Sequence, residues 1–421
     1  MKKIAIVSAF GLAAGGLLSA QGLYNIMPND DEAPNPLPLE WTAGANIGWD
    51  SNASPLFSEC AGVDTDDALY VSGFVQANFV SKTPQTTIDV WGRVGATYYL
   101  DPIERTGLFG AQEEEDFYPQ FRGGVNFVHR VNESLRLRSR NHFTYEQEPD
   151  YNYGLATDRR QGNYLRYSSD NSIGYRWTER LGTNTGYRWS GVTFDDVDRS
   201  DYVRHLFYNQ FRYRTAPATV WTASYRYQHQ DNDSTSDSNS HYFLAGAEHQ
   251  VSPTTVVVLR GGVQIQEIDG GSSNSAPYVE ATLKTRLTEA ADLRAFVRYG
   301  LEDRNRIIST HDCQQFPVIG RYEERATFRV GAQGSYKVSP DLTLFGGGNL
   351  ILFNYDGEIG GNPAAPGSMD ETIINLNGGG MYRLFDDVYI TGSLNYTHSA
   401  SDADIRDYKR TRLQFGIQSS F

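Results

Sequence analysis

The sequence predicts an all-β chain, a transmembrane antiparallel up-and-down β-barrel of about 18 strands, or about 16 if one hairpin is overcounted. Long runs alternate apolar and polar residues at period two, the pattern of strands with one apolar and one polar face. Successive runs are joined by short turns at one end and by longer polar loops at the other. Past the N terminus, no stretch approaches the roughly 18 uninterrupted apolar residues of a spanning helix, and mean hydropathy is −0.50. An α-helical membrane protein is excluded.

The elements follow in order. Lys2 and Lys3, an apolar stretch from Ile4 to Leu18, and the small residues Ser19 and Ala20 have the arrangement of a secretory signal peptide. Residues 1–20 are therefore expected to be cleaved after export through the inner membrane. Residues 21–40 hold Pro28, Pro34, Pro36 and Pro38 among Asn and Asp, which build neither a ladder nor a core, and they read as a periplasmic lead-in. From 41 to 421 one pattern repeats without a linker-like shift, so that length reads as one barrel.

The alternation is clearest where Ala326, Phe328, Val330, Ala332, Gly334, Tyr336 and Val338 are set against Arg325, Thr327, Arg329, Gly331, Gln333, Ser335 and Lys337. Leu293, Ala295, Val297, Tyr299 and Leu301 are set in the same way against Arg294, Phe296, Arg298, Gly300 and Glu302. Short turns are expected at Ser81–Gln85, Val131–Ser134, Thr178–Leu181, Thr215–Pro217, Ser252–Pro253, Leu287–Ala291, Ser339–Pro340 and Phe385–Asp386. Longer loops are expected near Ser51–Asp66, Asp101–Glu114, Glu148–Gln161, Asp195–Ser200, Asp231–Asn239, Asp269–Asn274, Glu302–Pro317, Asp356–Ser368 and Ala400–Asp404. Short turns on one side and long loops on the other imply periplasmic turns, extracellular loops and both termini in the periplasm. Closure follows from the solvent, because hydrocarbon offers no partner to a free sheet edge. The 27 Tyr and six Trp suit the two interfaces, and Trp41, Trp49, Trp177 and Trp221 fall near strand ends or on apolar faces.

Charge and cysteine content narrow the partners. With 37 Lys+Arg against 51 Asp+Glu the chain carries −14, and losing Lys2 and Lys3 makes it −16, which argues against a nucleic-acid partner. Only Cys60 and Cys313 occur, in the first and seventh long loops, and export into an oxidising compartment makes one disulfide across the mouth an expectation.

The chain ends Leu413, Phe415, Ile417, Ser419, Phe421, alternately apolar up to a final aromatic residue. This resembles the C-terminal signal by which bacterial outer-membrane barrels are recognised for assembly, with Ser419 departing from the usual apolar residue. The strand Trp41–Trp49 running into Asp50, Ser51 and Asn52, together with the repeated long hairpins, resembles the porin-like β-barrel families of uncharacterised bacterial outer-membrane proteins. The resemblance implies an outer-membrane barrel with a transport role and an unspecified substrate. Outer-membrane lipid and the barrel-assembly machinery are the implied partners, and a homotrimer is the assembly left open.

The face assigned to the lumen is rich in arginine. Arg136, Arg138 and Arg140 lie in one strand, followed by Arg166, Arg176, Arg188, Arg204, Arg212 and Arg226. Arg260, Lys284, Arg286, Arg294, Arg298, Arg325, Arg329, Arg410 and Arg412 come further round, against the fewer carboxylates Asp89, Glu146, Asp170 and Glu280. Such a ring in a low-dielectric wall favours anions or acidic solutes such as sugar acids. The competing reading is that a wet lumen needs polar side chains and pairs them with one another without a ligand. Gly346–Gly348 and Gly378–Gly380 are placed to face each other in successive strands, as a bend of the wall or a site of close approach.

The eight histidines are scattered, and no zinc, calcium or phosphate motif occurs, so no enzyme, metal or cofactor is expected. The function expected is passive passage of small hydrophilic solutes through a barrel wide enough for an aqueous channel. The alternatives are transport or export of an envelope polysaccharide, a non-conducting structural or adhesive barrel, and a barrel enzyme.

Overall fold

Alternation along the chain builds nineteen strands in the computed structural model, which describes residues 39–53, 67–106, 112–147, 163–195, 201–233, 236–271, 273–302, 307–310, 318–358, 367–402 and 407–421. They are β1 (Leu39–Asp50), β2 (Ala68–Lys82), β3 (Thr86–Thr106), β4 (Gln112–Arg130), β5 (Leu135–Glu146), β6 (Tyr164–Arg176), β7 (Leu181–Phe194), β8 (Tyr202–Ala216), β9 (Thr219–Asn232) and β10 (Ser238–Ser252). The chain continues through β11 (Thr255–Ile268), β12 (Ser273–Thr288), β13 (Ala291–Leu301), β14 (Ile307–Thr310), β15 (Val318–Lys337), β16 (Leu342–Glu358), β17 (Ser368–Phe385), β18 (Val388–Ser401) and β19 (Tyr408–Ser420). Each strand of the wall pairs antiparallel with the next, and β1 pairs with β19, so the sheet has no free edge. The four-residue β14 pairs only with the start of β15, while β13 pairs directly with β15. Leaving β14 aside, eighteen strands close the barrel. The signal peptide, most of the lead-in, Cys60 and Cys313 lie outside the described residues.

Closure is pinned at both ends. At the turn end, Trp41 and Phe421 exchange backbone N–H···O bonds of 2.8 Å in both directions. At the loop end, Arg410 on β19 donates to Asp50 on β1 through Nε at 3.0 Å and Nη2 at 2.5 Å. The first strand begins at Leu39 rather than at residue 41, and Leu39 is already in register with Phe79.

The short turns fall where the sequence places them, and several share one device. Asn132 Oδ1 accepts from the N–H groups of Ser134 and Leu135, both at 2.8 Å. Thr178 Oγ1 accepts from Arg180 and Leu181 at 3.2 and 3.0 Å, and Ser339 Oγ from Asp341 and Leu342 at 3.3 and 3.1 Å. A short side-chain oxygen at the strand end thus satisfies the N–H groups that the ladder leaves unpaired.

The loop ends differ from expectation. Where a loop is expected near Asp101–Glu114, β3 and β4 continue as a hairpin, pairing Ile103 with Glu115 through Thr106 with Gln112 after a register shift. The segment Glu302–Pro317 contains β14, and β16 extends to Glu358. Beyond the apolar band water solvates both faces, so a ladder continues there without an alternating sequence.

Outward and inward faces separate cleanly. Ile47, Val94, Ile173, Phe211, Leu259, Leu376, Phe415 and Ile417 are exposed on the outside, along with Trp41, Trp177, Trp189 and Trp221. Trp49 and Trp91 are partly buried, and the Trp49 indole N–H donates to Asp67 at 3.2 Å. The buried apolar residues form clusters such as Tyr70, Tyr99 and Tyr118, or Tyr322, Ile351, Phe353, Tyr355, Met369 and Ile373. Tyr70 packs on Tyr99 with ring centroids 5.6 Å apart, and Tyr99 on Tyr118 at 5.7 Å. Small residues make room for these rings, since a Cβ on Gly48 would stand 2.2 Å from the Tyr70 ring. The two glycine triplets do meet, Gly346 opposite Gly378, with Leu344 opposite Gly380 and Gly348 opposite Leu376.

Candidate functional site

Parity places the predicted arginines on the inner wall. In β5, Arg136, Arg138 and Arg140 share a face with Glu146, and the ladder sets Arg140 opposite Asp170 of β6. By the same register Arg166, Arg176, Arg188, Arg204, Arg212, Arg226, Arg294, Arg298, Arg325 and Arg329 occupy the inward series of β6, β7, β8, β9, β13 and β15. Arg286 differs: it is exposed near the turn end of β12, 3.4 Å from the equally exposed Asp292.

A charged belt crosses β8 to β15. Arg212 holds Glu248 of β10 bidentately at 2.7 and 2.6 Å. Glu248 is also 3.4 Å from Arg260 of β11, which donates at 2.5 Å to Glu280 of β12. Arg226 approaches Glu280 at 3.6 Å, and the Tyr278 hydroxyl donates to it at 2.9 Å. Next in the belt, Glu302, just past the end of β13, accepts from Arg298 at 2.5 Å, Arg325 at 2.6 Å and Arg329 at 2.8 Å. The guanidiniums of Arg325 and Arg329 lie 4.9 and 5.3 Å from the centre of the Phe353 ring. In these contacts six guanidiniums share three carboxylates.

Two smaller clusters complete the wall. Arg188 grips Asp170 at 3.0 and 2.5 Å while the Tyr208 hydroxyl donates to the other oxygen at 2.8 Å. Arg122 pairs with Glu146, to which the Tyr164 hydroxyl also donates. At the closure, Arg410 and Arg412 share Asp50, and Arg412 lies 4.9 Å over the Tyr70 ring.

Burial divides these charges by role. Arg212 and Arg329 are 2 % and 1 % exposed, so their fields are tied to carboxylates inside the wall. Arg136, Arg138 and Arg140 are only partly buried along the whole of β5, and Arg294 and Lys284 are likewise part-exposed. These are the part-exposed cations of the inner wall.

Sequence reasoning missed several participants. Asp50 sits at a loop edge, where alternation gives no parity signal. Glu248 follows Tyr242 and Leu244 on the same inward series, and those apolar residues blur the polar face that would have revealed it. Arg93, 3.7 Å over the Phe74 ring, and Arg122 are lumen cations flanked by glycines that weaken the pattern. The C-terminal residues Leu413, Phe415, Ile417 and Phe421 all lie exposed on the outer face or at its rim.

No protein-family model matches the chain, and no match to a curated protein was found. Solved structures of similar shape include OccAB4 of Acinetobacter baumannii, at 12 % identity and a TM-score of 0.43, covering 92 % of this chain and 100 % of that one. OpdK of Pseudomonas aeruginosa with vanillate is similar at 11 % identity and a TM-score of 0.46, covering 91 % and 99 %. The copper transporter OprC is similar at 9 % identity and a TM-score of 0.45, covering 91 % and 81 %.

Proposed function

We propose that this protein is an outer-membrane channel for passive diffusion of small hydrophilic solutes, with a preference for anions. The closed sheet with an apolar exterior suits a hydrocarbon solvent, because it has no free edge. The observation that supports the anion preference is the row of part-exposed guanidiniums on the inward face of β5, Arg136, Arg138 and Arg140. Single-channel recording of the refolded protein in planar bilayers tests this reading. Open channels whose reversal potential in a salt gradient reports anion preference support it, while folded but silent barrels, before and after reduction, sink it.

Assembly is expected to depend on the last residue. Phe421 is exposed, and its backbone closes the barrel against Trp41, so both recognition and closure meet there. Deleting Phe421 should lower the folded barrel recovered from outer membranes several-fold, measured by heat-modifiable migration in gels. An unchanged yield would remove Phe421 from the assembly signal.

A further inference from the structure

The outer face of the wall is not apolar everywhere. On β5 to β8 its outward series includes Ser139, Asn141, Ser169, Asn171, Thr185 and Asn209. The ladders make them neighbours, Ser139 opposite Asn171, Asn141 opposite Ser169 and Thr185 opposite Asn209. Ser139 donates to Asn171 Oδ1 at 2.7 Å, Asn141 to Ser139 at 2.9 Å, Asn171 to Ser169 at 2.9 Å and Asn209 to Thr185 at 2.6 Å.

This strip lies at mid-depth. A strand tilted by about 40° advances about 2.5 Å along the membrane normal per residue. Asn171 is midway between Tyr175, packed on Trp177, and Tyr167, packed on Trp189, so it lies about 10 Å from each aromatic level. At the same depth the outward residues of the other strands, among those described, are Ala, Gly, Val, Leu, Ile, Phe or Tyr. Leu394 of β18, with Gly378 opposite it on β17, is an example on the far wall.

We infer that this strip is a two-fold interface between two copies of the chain. The inference rests on the membrane-spanning reading and is independent of whether the lumen conducts. A primary amide has two donors and an acceptor with two lone pairs. The bonds within the wall use one donor of each Asn, which leaves Asn141 and Asn171 each a second amide hydrogen. Acyl chains supply neither donors nor acceptors, so the remaining capacity goes unused against lipid. The same strip on a second copy supplies both, since it is built of groups that donate and accept. A ring of three needs two different complementary patches on each copy, whereas at mid-depth the described outer face holds one polar patch, the cluster of His205, His229, His241 and Asn239 lying nearer the loop end and closed on Tyr187, Tyr225 and Tyr227, and a single patch closes through an isologous two-fold contact. Phe143, Phe207 and Phe211 border the strip and give the contact an apolar frame.

The experiment uses the full chain in outer membranes and after extraction in mild detergent. Light scattering and native mass spectrometry should give a dimer, and Asn171→Cys, beside the two-fold axis, should cross-link to its own copy whereas Ile374→Cys should not. The variant N141L/N171L/N209L presents a surface more like the rest of the wall and should weaken the dimer roughly hundredfold while retaining heat-modifiable folding. Asn171→Leu alone serves if the triple variant does not fold, with a smaller loss of dimer expected. A membrane-inserted monomer, an oligomer indifferent to these leucines, or cross-linking to a different protein would overturn the dimer. Absence from the membrane fraction would overturn the membrane reading as well.

Discussion

Glu302→Gln is expected to destabilise the folded barrel by about 3–5 kcal/mol, because it removes the carboxylate that neutralises buried guanidiniums of Arg325 and Arg329. Arg298 loses the same partner, and three cations are then left facing one another in a wall with little water. Equilibrium unfolding in denaturant from lipid vesicles reads the loss. A second change, Arg329→Gln, reduces the uncompensated charge and should restore part of it. A loss below about 1 kcal/mol would show that solvent reaches the hub and screens it as at a surface.

The same hub has a defined pH response. Burial pushes the Glu302 carboxyl up, but Arg329, Arg325 and Arg298 outweigh it and hold it well below the usual carboxylate range. A folded-state value below the unfolded one gives stability that is fully present above the ordinary Glu value of about 4.3 and is lost as pH falls through the depressed value. Stability from this hub should therefore be flat between neutrality and about pH 5. Glu302→Gln should remove its acid-side decline.

How far the sequence could be read follows from where each constraint comes from. Turns were legible because short oxygen-bearing side chains such as Asn132, Thr178 and Ser339 are required to satisfy the strand-end N–H groups. Arginine orientation was legible because a one-residue slip in β5 or β15 would carry charges to the apolar exterior. Pairing was not legible, since Arg212 reaches Glu248 two strands away and Glu302 gathers arginines from β13 and β15. Those partners depend on the stagger of the closed wall, which alternation within one strand does not encode. The polar strip on β5 to β8 was hidden for a related reason. Ser139 with Asn141 and Ser169 with Asn171 interrupt otherwise apolar series, and only the ladder shows that the interruptions lie side by side.

Neutralising Arg136, Arg138 and Arg140 together to glutamine should shift the anion-to-cation permeability ratio roughly fivefold towards cations in 0.1 M salt, given the following magnitudes. A unit charge about 10 Å from an ion in water contributes about 0.4 kcal/mol, and one Debye length of screening reduces that by a factor of about e. The three act with opposite sign on the two ions, which doubles their effect on the ratio. At ten times lower salt the screening weakens and the shift should grow. Arg212→Gln is the contrast, because that side chain is buried and bonded to Glu248, so its removal should cost stability without this salt-dependent change in the accessible lumen charge. The difference separates two uses of one residue type. On the channel reading, arginines tied into carboxylates hold the strands of the wall together, and part-exposed arginines set the field in the lumen. Equal selectivity shifts from both variants would mean that the belt on β8 to β15 faces the permeation path as directly as β5 does.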